Sequence, residues 1–359
     1  MEAAAAKERS RRFAKGSMSL PIEPPLPPMD ALLVEDLPEG DGWEYEPKWD
    51  GFRCLVFRDG EKIFLQSKSG QPLTRYFPEL VECFAGLLPK RFILDGEIAV
   101  PVQRRFSFDD LLQRIHPAES RVRKLSREHP AVFIAFDLLA GSDGKSLLGL
   151  PLRDRRKTLE QFAKEFEAAS GRIRLSPATT ELRLAKKWFE RVGGDLDGIV
   201  AKRLDCDYRS GKRDGMAKVK LTRTADCVVG GFRYAEKKPV VGSLLLGLYN
   251  ESGLLDHVGF CSGFKTAERK SLLSKLEPLI QPPGFTGHAP GGLSRWSTKR
   301  SMEWKPLKPV LVVEVGYDHF TGGRFRHGTR LIRWRPDKAP EQCKMEQVSA
   351  TGGGALALL

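Results

Sequence analysis

Apolar residues fall along the chain in short strand-like runs separated by helical periods. In the first 220 residues the runs are Cys54–Arg58, Lys62–Ser67, Phe92–Val100, Ala131–Leu138, Gly198–Arg203 and Ala217–Thr222. Leu152–Ala169 and Thr180–Val192 carry apolar residues at helical spacing and end at Ser170-Gly171 and Gly193-Gly194. Residues 20–38, LPIEPPLPPMDALLVEDLP, hold too much proline for a helix or an inner strand, and predict an extended strap laid over the first domain. Together these patterns predict a mixed α and β domain to about residue 221.

The pattern then changes. Cys227–Phe232 and Gly242–Phe260 read as strands, the second split by a turn at Asn250–Gly253. Lys265–Ile280 reads as a helix, Gln281–Gly292 as a loop, and Val310–Tyr317 and Arg330–Arg335 as two more strands. Several strands and one helix in so short a stretch fit a small Greek-key barrel such as an OB-fold. The fold class expected is therefore α+β, with domains over 18–221 and 222–348, a hinge at Thr222–Ala225 and a flexible tail over 349–359. Residues 1–17 read as a tag or cloning scar, ending in Gly16-Ser17 before a second start at Met18.

Composition narrows the picture. A chain of 359 residues, 41% hydrophobic, can bury a core in each of two domains. No window approaches the roughly 18 uninterrupted apolar residues of a membrane span, and the N-terminus lacks a secretory h-region. A cytoplasmic, nucleoid-associated protein is expected. Six scattered cysteines without a C-x-x-C pair argue against a zinc ribbon or a disulfide framework. The net charge is +13, of which residues 1–17 supply +3 (five Lys/Arg against two Glu), leaving +10 and pointing to a polyanionic partner.

The candidate chemistry starts at Glu46-Pro47-Lys48-Trp49-Asp50-Gly51-Phe52-Arg53, where a lysine stands beside an Asp-Gly turn just before a strand. A lysine with a pKa of about 10.4 is neutral in roughly one molecule in a thousand at pH 7. Neighbouring cations such as Lys202, Lys218 and Lys220, or burial, are needed to make it a nucleophile. Further elements follow in order: Ser67-Lys68-Ser69-Gly70, Leu94-Asp95-Gly96-Glu97, Phe133 to Asp137, Asp197 to Lys202, Lys218-Val219-Lys220, and Arg333 to Lys338. Piece by piece, residues 48–338 resemble the covalent nucleotidyltransferase superfamily of ATP-dependent DNA ligases and capping enzymes. The spellings K-W-D-G-F-R, D-G-I-V-A-K-R-L and R-W-R-P-D-K are most similar to bacterial ligase C, a small two-domain repair ligase.

The resemblance implies an ATP-grasp-like nucleotidyltransferase domain of antiparallel sheets with flanking helices, followed by an OB-fold β-barrel. It implies that Lys48 takes AMP from ATP and that the protein seals nicks in duplex DNA. Glu46 would read the adenine edge, with Phe136 and Val200 on the two faces of the base. Arg53 and Lys68 would bind ribose and phosphates, Lys68 standing where arginine is usual, a point charge in place of a planar fork. Lys202, Lys218 and Lys220 would bind nucleotide, the last two pointing to one side of a strand. Arg335 and Lys338 would steady the departing pyrophosphate. Glu97 would accept a hydrogen bond from the ribose hydroxyl or help hold Mg²⁺ or Mn²⁺, and Asp197, standing where the family commonly has glutamate, would hold the same metal. A monomer working on nicked DNA, alongside other repair enzymes, is expected. A capping guanylyltransferase or RNA ligase, and a non-catalytic basic OB module, are the alternative readings; an NAD-dependent ligase is excluded for want of zinc-binding cysteines.

Overall fold

The computed structural model describes residues 18–103, 105–169, 171–192, 196–220, 223–236, 238–291, 303–348 and 354–359. Residues 1–17, the basic stretch 295–300, Thr222 of the expected hinge and the start of the tail lie outside the described residues. Two compact units emerge: Met1–Leu221 with Thr351–Leu359, and Thr222–Ala350.

The first unit is built on two larger sheets, beside a two-stranded ribbon over Pro101–Val102 and Arg105–Phe106. One comprises β1 (Leu32–Leu33), β2 (Trp43–Lys48), β8 (Gly198–Arg203) and β9 (Met216–Lys220), in the order β1-β9-β8-β2. The other comprises β3 (Phe52–Asp59), β4 (Lys62–Ser67), β5 (Arg91–Ala99), β6 (Val132–Ala140) and β7 (Ile173–Leu175), in the order β4-β3-β5-β6-β7. Alternation along β3 decides what covers each face. Cys54 and Val56 join a core with Leu80 and Phe84 of helix α1 (Pro78–Gly86) and Leu159 and Phe162 of α2 (Leu152–Phe162). Leu55 and Phe57 face the other way, against Leu20 and Met29 of the strap and Cys206 and Tyr208. Each such buried apolar side chain contributes about 1.5–3 kcal/mol. The buried Arg58 guanidinium donates to the carbonyls of Phe84, Ala85 and Leu87, satisfying the C-terminal end of α1.

Two elements differ from expectation here. The helix predicted over Leu152–Ala169 forms as two, Leu152–Phe162 and a short second helix Lys164–Ala169, broken at Ala163. The expected flexible tail folds at its end into a short 3-10 helix, Ala355–Leu358, whose Ala355 is fully buried in the same core as Tyr45, Trp49 and Ile199. An apolar Ala-Leu-Ala-Leu-Leu ending has more to gain from that core than from water.

The second unit is a six-stranded sheet over β10 (Arg223–Ala235), β11 (Lys238–Tyr249), β12 (Leu255–Cys261), β13 (Lys305–Pro306), β14 (Val312–Tyr317) and β15 (Arg330–Trp334). Its order is β12-β11-β10-β14-β15, with β13 also on β10. Helix α3 (Thr266–Leu276) packs Leu272 and Leu276 onto its core of Val228, Phe232, Leu244, Leu246 and Val313. Edge strands β12 and β15 approach at one end only, through a Cys261–Thr329 bridge, so among the described residues the OB-type sheet curls without closing. Arg223, Thr224 and Ala225 of the expected hinge pair with Tyr317, Gly316 and Val315, which makes them strand.

Candidate active site

Lys48 ends β2, and the chain turns through Trp49–Gly51 into β3. The turn is tight because Gly51 has no side chain: a Cβ there would lie 2.2 Å from the Ile98 carbonyl oxygen and 2.9 Å from Cγ of Glu97. On the other side β8 pairs antiparallel with β2 so that Gly198 is opposite Lys48, and Asp197 N–H donates to the Lys48 carbonyl at 3.0 Å. Gly198 is equally constrained, since a Cβ would meet the Val219 carbonyl oxygen at 2.0 Å. Register therefore delivers the Asp197 carboxylate to the lysine. Lys48 Nζ donates to Asp197 Oδ2, and Lys220 Nζ lies 3.7 Å from Asp197 Oδ1. Asp197 is almost wholly buried and Lys48 keeps 23% of its side chain exposed, toward a cavity of about 2220 Å³.

Glu97, across the Gly51 turn, faces the same lysine. Loss of water pushes its carboxyl up to about 8; Lys48 and Arg53 pull the other way. Arg53, in register with Glu97, donates through Nε and Nη2 to the two oxygens of buried Asp95, both at 2.6 Å. Burial works against its charge, but Asp95 more than compensates and holds the guanidinium protonated. Arg53 also lies 4.6 Å from the centre of the Phe136 ring, and Lys202 Nζ lies 4.9 Å from it. Phe136 thus sits against two cations at the wall of the cavity.

Glu46, on β2 opposite Val200 of β8, is buried and accepts from Lys202 Nζ at 2.6 Å; Lys202 donates also to the Phe136 carbonyl at 3.1 Å. The Arg156 guanidinium backs Glu46 at 3.8 Å. Lys202 was expected among the cations around Lys48, and its ammonium is instead committed to Glu46. Lys218 keeps that part: it lies opposite Val200 with Lys220 two residues on, and burial, then the Lys48 charge, lowers its pKa. Lys68, on the turn after β4, donates to Asp30 of the strap at 2.7 Å.

Arg335 and Lys338 lie in the second unit. Arg335 Nη1 reaches the Asp226 carboxylate at 3.0 Å and Lys338 Nζ reaches it at 2.6 Å, and Arg335 also holds Asp337 at 2.8 Å. The structure brings these two together on one carboxylate.

Four supporting groups escaped the sequence. Asp95 stood in a quoted motif without a role, although a carboxylate two residues from Glu97 on one strand was a signal. Tyr208, which donates to Asp95 Oδ2 at 2.7 Å, Arg156 and Asp226 carried no local signal; only the fold brings them in.

The site is thus a lysine between two carboxylates, with two further lysines close by. Residues 31–220 match the family model of the ATP dependent DNA ligase domain, and residues 237–338 that of the ATP dependent DNA ligase C terminal region. The chain belongs to the ATP-dependent DNA ligases. This ligase is 44% identical over 346 residues to DNA ligase C of Mycobacterium tuberculosis, spanning 92% of this chain and 96% of that one. To DNA ligase C2 of Mycolicibacterium smegmatis it is 43% identical over 349 residues, 93% of this chain and 97% of that one. A solved structure from the Lig E DNA ligases superposes with a TM-score of 0.53 at 17% identity, covering 86% of this chain and all of that one, and shares its fold. The ligase is an enzyme that uses ATP to seal nicks in DNA, and the capping and non-catalytic readings fall away. No helix among the described residues is long and apolar enough to cross a membrane.

A divalent cation is typical of such ligases, and the donors of this one suit a hard ion. No group of three or more His, Cys, Asp or Glu is gathered for a metal among the described residues. Mg²⁺ needs no such group: it uses one or two carboxylates, keeps several waters and takes substrate phosphate oxygens. Glu97 and Asp197, on opposite sides of Lys48, supply that much.

Proposed function

We propose that Lys48 is the nucleophile of this ligase and that the residues around it carry the three displacements at phosphorus. The hydrogen bond from Lys48 Nζ to Asp197 supports this reading above all, because the attacking amine must shed a proton and has an acceptor aimed at it. In the first step Nζ attacks the α-phosphorus of ATP, its proton passes to Asp197 Oδ2, the bond to the β-phosphate oxygen breaks and pyrophosphate leaves. AMP then moves from Lys48 to the 5′-phosphate at a nick. The 3′-hydroxyl next to it attacks that phosphate, and AMP departs.

In these steps the protein mainly positions groups and offsets charge. Glu46, held by Lys202, reads the adenine edge, and Phe136 and Val200 flank the base. Arg53, fixed by Asp95, and Lys68 bind ribose and phosphate. Lys218 and Lys220 meet one phosphate from one face of β9, and Arg335 and Lys338 are assigned the departing pyrophosphate. Glu97 and Asp197 would hold Mg²⁺ or Mn²⁺, which neutralises phosphate charge. Residues 18–221 serve as the adenylation domain and 222–348 as the OB domain. The ligase works as a monomer in the cytoplasm, at the nucleoid, in DNA repair with other repair enzymes; light scattering on the purified protein checks the monomer.

The deciding measurement is intact mass after incubation with ATP and Mg²⁺, expected to show one added AMP. Lys48→Ala abolishes that addition and the sealing of a nicked duplex. Persistent labelling of the variant refutes the assignment.

A further inference from the structure

Midway along, the strap places an acid in the cavity. Asp30 lines the nucleotide cavity beside Glu46, Lys48, Arg53, Lys68 and Lys218. Its carboxylate accepts from Lys68 Nζ at 2.7 Å. Burial alone would raise this carboxyl, yet Lys68, then Lys218 and Arg53, hold it below the usual carboxylate range. These are three of the cations assigned to phosphate and ribose, so an internal anion stands among groups chosen for an external one.

The anion is held there firmly. Its own N–H donates to the Lys212 carbonyl at 2.8 Å. Met29 next to it donates to the Tyr208 hydroxyl at 3.0 Å and accepts from Arg53 at 3.2 Å. Upstream, Leu26 exchanges two hydrogen bonds with the buried Gln66 side chain, at 2.9 and 2.7 Å, and Ser210 donates to the Pro27 carbonyl at 2.6 Å. Lys68 is the movable partner: its side chain is 56% exposed against 21% for Asp30.

We infer that Asp30 sets the affinity of this ligase for ATP by competing with the triphosphate for Lys68 and by placing a fixed negative charge among the phosphate-binding cations. Binding of the nucleotide transfers Lys68 from a carboxylate oxygen to a phosphate oxygen. The fixed carboxylate then penalises each phosphate in proportion to its charge. An adenosine without phosphates is indifferent to it. A partly exposed pair of this kind is worth about 0.2–1 kcal/mol, which is at most about a fivefold change in affinity.

The inference rests on Lys48 taking AMP in this cavity, and the test separates the two. Self-adenylylation is followed against ATP concentration for the parent protein, Asp30→Asn and Asp30→Ser, with unfolding temperatures checked in parallel. The half-saturating ATP concentration is expected to fall about two- to fivefold in both variants, a gain that structural damage does not produce. Adenosine inhibits parent and variants equally, and in a Lys68→Met background the gain shrinks. Half-saturation unchanged or raised in a folded variant overturns the inference, as does an equal gain in adenosine affinity, which would place the effect on the base or sugar. Absence of label in the parent protein instead overturns the proposed function itself.

Discussion

Asp197→Asn tests the centre of the site with the smallest change of shape. The amide keeps the size of the carboxylate and one acceptor for Lys48 Nζ, but removes the charge that Lys48 and Lys220 share. A hydrogen bond to a charged group is worth about 1.5–3 kcal/mol and a neutral one about 0.5–1.5, so the exchange alone costs roughly 1–2 kcal/mol. Screening reduces this little, because Asp197 is 8% exposed. That cost falls on the resting ion pair, and so on stability rather than on the rate. The rate falls through loss of the proton acceptor, since general-base catalysis contributes about 10²–10⁴-fold. Single-turnover self-adenylylation with radiolabelled ATP is therefore expected to fall by two orders of magnitude or more. A folded Asp197→Asn protein that adenylylated itself within threefold of the parent rate would refute both roles given to this carboxylate.

Arg335→Ala with Lys338→Ala is expected to impair self-adenylylation far more than sealing of a nick already carrying AMP; equal loss in the two assays counts against their assignment to pyrophosphate. Glu97 has a pKa raised to about 8 in the folded chain, so it stays protonated there from its ordinary range up to about 8. The folded state binds the extra proton over that window, and its share of stability is present at low pH and lost as pH rises through about 8. Glu97→Gln should accordingly flatten the fall of the melting temperature between pH 5 and 8; an identical slope in parent and variant would show that Glu97 titrates normally. Gly51→Ala forces a methyl onto the Ile98 carbonyl and is expected to cost about 1–3 kcal/mol of stability and to displace Lys48, seen as a lower denaturant midpoint with loss of labelling.

Much of the architecture was legible because its strands are buried on both faces and so read as continuous apolar runs, as in Phe92–Val100 and Ala131–Leu138. Trp43–Lys48 was not seen as a strand. Its Glu44, Glu46 and Lys48 alternate with Tyr45 and Pro47 and look like a polar loop, whereas the acids are buried against Lys202 and Arg156. The helix over Pro78–Gly86 was missed for its short length. At the site, order and spacing of motifs located Lys48, Glu97, Lys218 and Lys220, which the structure gathers at one end of β2, β5 and β9. Distances in sequence hid the rest. Nothing local at Lys202 says that Glu46 will claim it, and nothing at Asp226 says that two cations will share it.

The register of Gly198 with Lys48 has a consequence for how the enzyme comes into being. Among the described residues β2 has its ladder with β8, some 150 residues later in the chain, and a single bridge from Tyr45 to Thr179 on its other side, while β8 in turn is flanked by β9. A nascent chain emerges from the ribosome N-terminus first. Through most of its synthesis Lys48 is thus an ordinary side chain, without Asp197, Lys218 or Lys220 beside it. On the assignment proposed for Lys48, a chain cut short before β8 and β9 carries the lysine but lacks the carboxylate and the two cations that surround it in the complete fold.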